Sequence, residues 1–294
     1  MQAMIFAAGL GTRLKPLTDH MPKALVRVGG EPLLRRVIFK LKAAGVTRII
    51  INVHHFSDMI VDYLKENDNF GMDIRISDET AELLETGGGI LHARKLFSPL
   101  TPILIHNVDI LSNVDLKKFY HLNPRIMCQE CGVPHIQADA TLLMSWRKTK
   151  RYLVFNNDML LVGWVNIETG EVKSPFEEVK TEIAENVESL KAQLSAIHTS
   201  TSTNSPLSTL HYQLYAFSGI HTFSPRLFSL MESYPEKFPI MDFYLQNCDK
   251  AVIRGYVKND LRLMDVGKQD TLKQAEDFLA GIDKSDKAGK IYAI

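Results

Sequence analysis

Within the first 110 residues, short apolar runs alternate with amphipathic stretches, and this alternation restricts the fold more than any other feature of the chain. "AMIFAA" (3–8) is apolar and stops at Gly9, as a buried strand feeding a tight loop should. "EPLLRRVIFKLKAAG" (31–45) places Leu33, Leu34, Val37, Ile38 and Leu41 at helical intervals, with Pro32 suited to a first turn and Gly45 to a stop. The same pattern then predicts a strand at "RIIINV", a helix over 57–66 capped by Ser57, a strand at "DIRIS", a helix over 89–97 and a strand at "PILIHNV". Such alternation implies a Rossmann-like α/β fold: a mostly parallel central sheet flanked by helices, with right-handed crossovers. In sheets of this kind ligands sit beyond the carboxyl ends of the strands, where Gly9 and Asp109 both fall.

The second half follows a different pattern. "ATLLMSW", "RYLVF" and "MLLVGWVNI" predict strands, the last two joined by the turn-prone "NND", so a smaller antiparallel portion is expected. Residues 195–209, "SAIHTSTSTNSPLST", are rich in Ser and Thr and poor in apolar residues, which predicts an exposed, flexible insertion. Residues 177–194 before it fit either a short helix or part of the same excursion. A strand at "LHYQLYAFSGIHTF", helices near 225–232 and 240–247, strands at "AVIRGYV" and "LRLMDVG" and a helix from Lys268 to Leu279 complete the prediction. The chain is expected to form one domain over 1–294.

Composition narrows the function. Lys plus Arg and Asp plus Glu both total 34, so the balance gives no basic face for nucleic acid or a membrane surface. Core strand residues begin at Ala3, and no apolar run reaches bilayer length. Three cysteines fit a reducing compartment better than a disulfide framework. A cytoplasmic protein is therefore expected, and a homo-oligomer stays open.

The loop after the first strand, "AAGLGTRLKPLTDHMPKAL" (7–25), departs from both common phosphate loops. A P-loop needs Gly-Lys-Ser/Thr, where this chain has Gly11, Thr12 and Arg13; a dinucleotide fingerprint needs a third Gly or Ala, where it has Leu14. Successive amides of a Gly-rich turn still form a concave anion site. Arg13 within it, and Lys23 returned by the Pro16 and Pro22 bends, add two cations.

The full spacing Gly-x-Gly-Thr-Arg-Leu-x-Pro-Leu-Thr-x-x-x-Pro-Lys closely resembles the signature of the sugar-1-phosphate nucleotidyltransferases. "ETGGGI" (85–90), "NVDI" (107–110), "FSGIHTFSPRLF" (217–228) and "MDVGKQDTL" (264–272) follow in that family's order. The resemblance is greatest to the N-acetylmuramate 1-phosphate uridylyltransferase branch, with mannose or heptose 1-phosphate guanylyltransferases and phosphocholine cytidylyltransferases as relatives. It implies the nucleotide-diphospho-sugar transferase fold, with a nucleotide-binding half over 1–120 and an acceptor-binding half over 121–294. It also implies transfer from UTP to N-acetylmuramic acid 1-phosphate in cell-wall recycling. Arg13 and Lys23 are then the catalytic cations, on the leaving pyrophosphate and near the reacting centre. Asp109 and Asp265 bind Mg²⁺. Ala7, Ala8, Gly9, Gly11, Thr12, Glu85, Thr86 and Gly87 contact the nucleotide, and Asn107, Asn166, Lys173 and Gly219 are candidates for the acceptor. Some relatives only sense sugar nucleotides, and the intact Arg13, Lys23, Asp109 and Asp265 argue against that.

Two departures from the family stand out. Many relatives carry glycine where this chain has Val108, which should alter backbone approach to the ligand, and the family's Glu-Lys-Pro element is missing, "NIETGEVKSP" standing in its place. The triple glycine has an alternative reading as helix capping and close packing. Cys128, Cys131 and His135 give half the spacing of a zinc site and are read as an incidental loop. His54, His55 and His106 are read as packed or capping residues, and Trp146 and Trp164 as core or sheet-surface aromatics. No Gly-x-Ser-x-Gly elbow suggests a hydrolase.

Overall fold

The structure is a computed structural model and describes residues 1–122, 138–196 and 207–291; side chains are described up to 282. Cys128, Cys131, His135 and most of the expected insertion lie outside the described residues. In chain order the main elements are β1 (Gln2–Phe6), α1 (Leu33–Ala43), β2 (Arg48–Val53), α2 (Ser57–Glu66), β3 (Asp73–Asp78), α3 (Glu85–His92), β4 (Ile103–Asn107), β5 (Ile110–Ser112) and α4 (Leu116–His121). These are followed by β6 (Ala140–Ser145), β7 (Arg151–Phe155), β8 (Leu161–Asn166), α5 (Glu177–Ala196), β9 (Gln213–Phe223), α6 (Phe228–Met231), α7 (Ile240–Asn247), β10 (Ile253–Val257), β11 (Leu263–Asp265) and α8 (Gln269–Ile291).

The alternating half forms the expected parallel sheet, in the order β3-β2-β1-β4, with β1 parallel to both neighbours. β1, β2 and β4 are mostly apolar because both faces are covered, whereas β3 at the edge is charged and partly exposed. Leu14, Leu34, Ile38 and Ile51 pack with α1, α2 and α8 on one face, while Met4, Ile50, Ile105 and Phe243 pack with α3 and α7 on the other. Beyond β4 the sheet turns antiparallel through β9, which pairs β4 at Ile220–Phe223 and β7 at Gln213–Tyr215. β6 lies against β9 and parallel to β10. A separate ribbon of β5 and β11, paired antiparallel with Asp265 opposite Ile110, brings the far end of the chain to the end of β4. No helix among the described residues is long and apolar enough to cross a membrane.

Four boundaries differ from expectation. Phe56, in the left-handed region at φ 54°, precedes α2, so Ser57 is its first residue and not its cap. The helix expected over 89–97 begins at Glu85 and contains the triple glycine. Residues 177–196 form one helix of 20 residues, α5, whose Val179, Ile183, Val187 and Leu190 cover β7, β8 and the start of β9 as a third small core. Their i, i+4 and i+3 spacing carries the helix, although the charged residues around them hid it. The last helix runs from Gln269 to Ile291.

Candidate active site

The loop after β1 folds around Gly11. That residue adopts φ +64° and has no room for a β-carbon, which would sit 2.9 Å from Thr18 Cγ2 and 3.1 Å from Lys23 Cβ. Thr18 Oγ1 donates to the Gly11 carbonyl at 2.8 Å, closing the loop and carrying Lys23 back beneath it. Gly9, Thr12 and Arg13 stay exposed at the rim, and Lys23 is buried. The spacing from Gly9 to Lys23 is therefore the geometry of one folded loop.

Lys23 Nζ makes a short charge-assisted contact with Asp109 Oδ2. Asp109 lies between β4 and β5, and its carbonyl accepts from the Val266 N–H at 2.9 Å, so the two aspartates are held side by side from distant parts of the sequence. Asp265 Oδ1 is buried with no hydrogen-bond partner among the described residues. Burial first, and the Asp109 charge second, push the Asp265 carboxyl above its ordinary value; Lys23, Arg13 and Arg147 pull it back. Gly267 explains the Asp-Val-Gly motif: a β-carbon there would fall 2.6 Å from Asp265 Oδ1 and 2.9 Å from Arg13 Nη2. Its absence leaves room for the guanidinium and the carboxylate on the same side of the turn.

Beside this charged cluster is a cavity of about 390 Å³, walled on one side by Ala7, Ala8 and Gly9 and on the other by Leu83, Glu85 and Thr86, with Lys23, Asn107 and Asp109 at its mouth. A larger hollow of about 850 Å³ lies between α1 and the β5 ribbon, and one of about 580 Å³ lies against the same turn at Glu79, Leu84 and Gly88. Glu85 adopts φ +62°, a strained conformation for a non-glycine residue, in the wall of the cavity. The glycines after it serve packing. A β-carbon at Gly87 would lie 2.3 Å from Phe238, at Gly88 2.1 Å from the Glu236 carbonyl and at Gly89 2.7 Å from Glu79 Oε1. The Gly87 N–H is already donated to the Phe238 carbonyl at 2.8 Å, so Gly87 offers room and no free donor. Thr86 Oγ1 accepts from the Ile240 N–H at 2.9 Å, tying this wall to the start of α7.

The candidates for the acceptor side separate. Gly219, at φ +75°, faces Asn107, whose amide nitrogen would be 2.9 Å from a β-carbon there, so these two come together at the mouth of the cavity. Asn166 and Lys173 do not join them. Asn166 Oδ1 accepts from the Glu168 N–H at 3.1 Å and the Thr169 N–H at 3.5 Å, which commits it to closing its own turn. Lys173 Nζ stands over the Trp164 ring, 5.2 Å from its centroid, and 3.7 Å from Asp242. Val108, which stands where many relatives carry glycine, is buried with Leu14 and Ile110 and also lines the cavity. The sequence reading missed Arg147. It follows β6, donates to the Phe217 carbonyl at 2.9 Å and acts electrostatically on Asp265. Nothing in "SWRKTK" distinguishes it from its cationic neighbours; only the pairing of β6 with β9 aims it.

His54 and His106 behave as packed residues: His54 Nδ1 contacts the Glu79 carbonyl, and fully buried His106 contacts the Asn107 carbonyl, with burial holding its pKa down to about 4. Trp146 packs edge-on against Tyr215.

Residues 2–123 match the nucleotidyl transferase family. Over 109 residues it is 45% identical to the N-acetylmuramate alpha-1-phosphate uridylyltransferase of Caulobacter vibrioides, covering 36% of this chain and 45% of that protein. Over 115 residues it is 44% identical to the Neisseria meningitidis serogroup B protein of the same name, covering 39% and 49%. A mannose-1-phosphate guanyltransferase from Kluyveromyces lactis is 36% identical over 119 residues, covering 40% and 33%. The chain thus spans about half the length of the first two relatives. Among solved structures, the inositol-1-phosphate CTP transferase from T. maritima superposes with a TM-score of 0.62 at 13% identity, over 96% of this chain and 95% of that one. A UDP-glucose pyrophosphorylase complexed with UDP-glucose gives 0.64 at 15% identity, over 95% and 98%. These likenesses establish the nucleotide-diphospho-sugar transferase fold for nearly the whole chain.

Proposed function

We propose that the chain joins a nucleoside triphosphate to a sugar 1-phosphate with release of pyrophosphate, and that UTP and N-acetylmuramic acid 1-phosphate are its substrates. The observation that carries the reaction type is the convergence of Arg13, Lys23 and Arg147 on the paired carboxylates Asp109 and Asp265, beside a cavity walled by the two segments expected to hold the base. The choice of substrates rests on the names of the two uridylyltransferases to which the first half is similar. A guanylyltransferase acting on mannose 1-phosphate is the second reading, favoured by the Kluyveromyces lactis relative.

The chemistry asks for cations more than for a base. A phosphate is already anionic at neutral pH, so the acceptor oxygen forms its bond to the α-phosphorus without losing a proton to the protein. The bond from the α-phosphorus to the oxygen bridging to the β-phosphorus breaks in line, and that oxygen leaves with pyrophosphate. Arg13, at the exposed rim, faces the leaving group; Lys23, buried beside the cavity, faces the reacting phosphate. Arg147 supplies charge for the acceptor phosphate. Asp109 and Asp265 also suit Mg²⁺: two hard carboxylates that repel each other, one with an unpartnered buried oxygen, are a donor set for a small divalent cation. When bound, such a cation offsets charge on the nucleotide phosphates.

The test is pyrophosphate release by the purified protein with Mg²⁺, five nucleoside triphosphates and a panel of acceptors. Release with UTP and N-acetylmuramic acid 1-phosphate is expected. Release with another pair moves the substrates and keeps the reaction, and no release with any pair refutes the proposal.

A further inference from the structure

The two walls of the cavity belong to segments distant in sequence, yet one pair of buried side chains touches both. Asn52, at the end of β2, and Glu79, just beyond β3, are each 2% exposed. Asn52 Oδ1 accepts from the Ala7 N–H at 2.8 Å and the Ala8 N–H at 3.4 Å. The other face of its amide, Nδ2, donates to Glu79 Oε1 at 2.8 Å. Glu79 Oε2 accepts from the Leu84 N–H at 3.2 Å, immediately before strained Glu85. Gly89 leaves the space this pair fills: a β-carbon there would stand 2.7 Å from Glu79 Oε1 and 3.3 Å from Asn52 Nδ2.

The polarity of this chain of bonds is fixed at both ends. Each terminus is a backbone N–H, so each end needs an acceptor, and an Asn facing an ionised Glu meets that need without an unpaired atom. Burial pushes the Glu79 carboxyl up, while the Asn52 and Leu84 donors act in the other direction and favour the ionised form. A buried carboxylate is an expensive spacer where an apolar residue could fill the volume. Its use here points to a requirement for direction and distance.

We infer that Asn52 and Glu79 are positioning residues that hold the Ala7–Ala8 wall and the Leu84–Thr86 wall at the separation a nucleobase requires. Asn52 also lines the cavity, and the hydrogen bonds of the pair go to the two walls and not to Arg13, Lys23, Asp109 or Asp265. Its effect is therefore expected on the base held between those walls. The inference rests on the reading of this cavity as a nucleotide site.

The test exploits the polarity of the chain of bonds. Asn52→Asp alone sets two buried carboxylates against each other, and Glu79→Gln alone turns an amide donor toward either Asn52 Nδ2 or the Leu84 N–H. Each single change should weaken UTP binding by about tenfold or more, the effect of one buried group left unpaired. The double variant, Asn52→Asp with Glu79→Gln, restores every bond with the charge moved one residue along. It should bind UTP to within about threefold of the unaltered protein, a coupling that independent sites would not show. Calorimetry with UTP, and separately with inorganic tripolyphosphate, distinguishes positioning from general support, since tripolyphosphate affinity should stay level in all three variants. Wild-type affinity in a folded Asn52→Asp protein overturns the inference. So does a double variant that fails to fold or binds UTP as poorly as the single variants, and so does a parallel loss of tripolyphosphate binding. If the unaltered protein binds no nucleoside triphosphate at all, it is the proposed function that fails.

Discussion

The two sides of the proposed site, one assigned to the nucleotide and one to the acceptor, are built by different means. The side proposed for the nucleotide consists of one loop, Gly9 to Lys23, and one turn, Glu85 to Gly89, each continuous in sequence and each shaped by glycines, Gly11 in the first and Gly87 to Gly89 in the second, that leave no room for a β-carbon. On the acceptor side the corresponding elements come from the end of β6, the irregular stretch of β9 between Phe217 and His221 and the β5–β11 ribbon. A site made from backbone imposes a spacing on the sequence, because the loop must close. A site made from side chains on distant strands leaves almost no spacing to read.

The contrast explains what could be read from the sequence. The parallel sheet was legible because strands buried on both faces are apolar throughout, and helix α1 because its apolar residues fall on one face. Arg13, Lys23, Asp109 and Asp265 were legible as members of motifs, and the structure gathers them. Arg147 was not, since its role depends on which strand β6 pairs with. Asn166 and Lys173 were chosen from the region of a missing motif, and their side chains are occupied by a turn and by Trp164 with Asp242. The triple glycine suggested a base-reading turn, whereas its side-chain positions are filled by Phe238, the Glu236 carbonyl and Glu79.

The largest effect expected is at the junction of the two sides. Asp109→Asn or Asp265→Asn should lower turnover about a thousandfold or more, measured as pyrophosphate release, because each removes a charge from the centre where both substrates meet. The melting temperature should hardly move for Asp265→Asn, since that change also relieves repulsion between the carboxylates.

The two exposed arginines should then separate the sides. Arg13→Ala is expected to lower kcat about a hundredfold with every acceptor. Arg147→Ala should raise the KM for the sugar phosphate about tenfold and leave the KM for the triphosphate level, as loss of one charged contact to one substrate requires. An equal rise in both KM values would assign Arg147 to the nucleotide side.

A packing change tests the account of the glycines. Gly88→Ala should destabilise the fold by about 2 kcal/mol, the order expected for overpacking, because the Glu236 carbonyl lies 2.1 Å from the position of the new methyl. Chemical denaturation measures this, and an unchanged midpoint would return the glycine to a ligand-facing role.

The smallest effect concerns pH and lies on β9. His221 is buried with neither ring nitrogen hydrogen-bonded among the described residues, and burial lowers its pKa from 6.5 to about 3. Between those values the unfolded chain takes up a proton that the folded chain refuses. Stability is therefore complete above pH 6.5 and falls as pH drops, by about 1.4 kcal/mol per pH unit for this one group. His221→Phe should flatten that share of the slope between pH 6.5 and 5.5 in denaturant titrations, and a slope equal to that of the unaltered protein would contradict the assignment.

The central claim, that the gathered charges transfer a nucleotidyl group between phosphates, is tested most directly by following ³¹P resonances of a mixture of the protein, Mg²⁺, UTP and N-acetylmuramic acid 1-phosphate. The account predicts that the sugar phosphate and triphosphate signals decay together as the coupled doublets of a diphosphate-linked sugar and free pyrophosphate rise in equal amounts. Appearance of UMP with pyrophosphate, or of UDP with inorganic phosphate, while the sugar phosphate signal stays constant, would mean that water and not the acceptor attacks, and would contradict it.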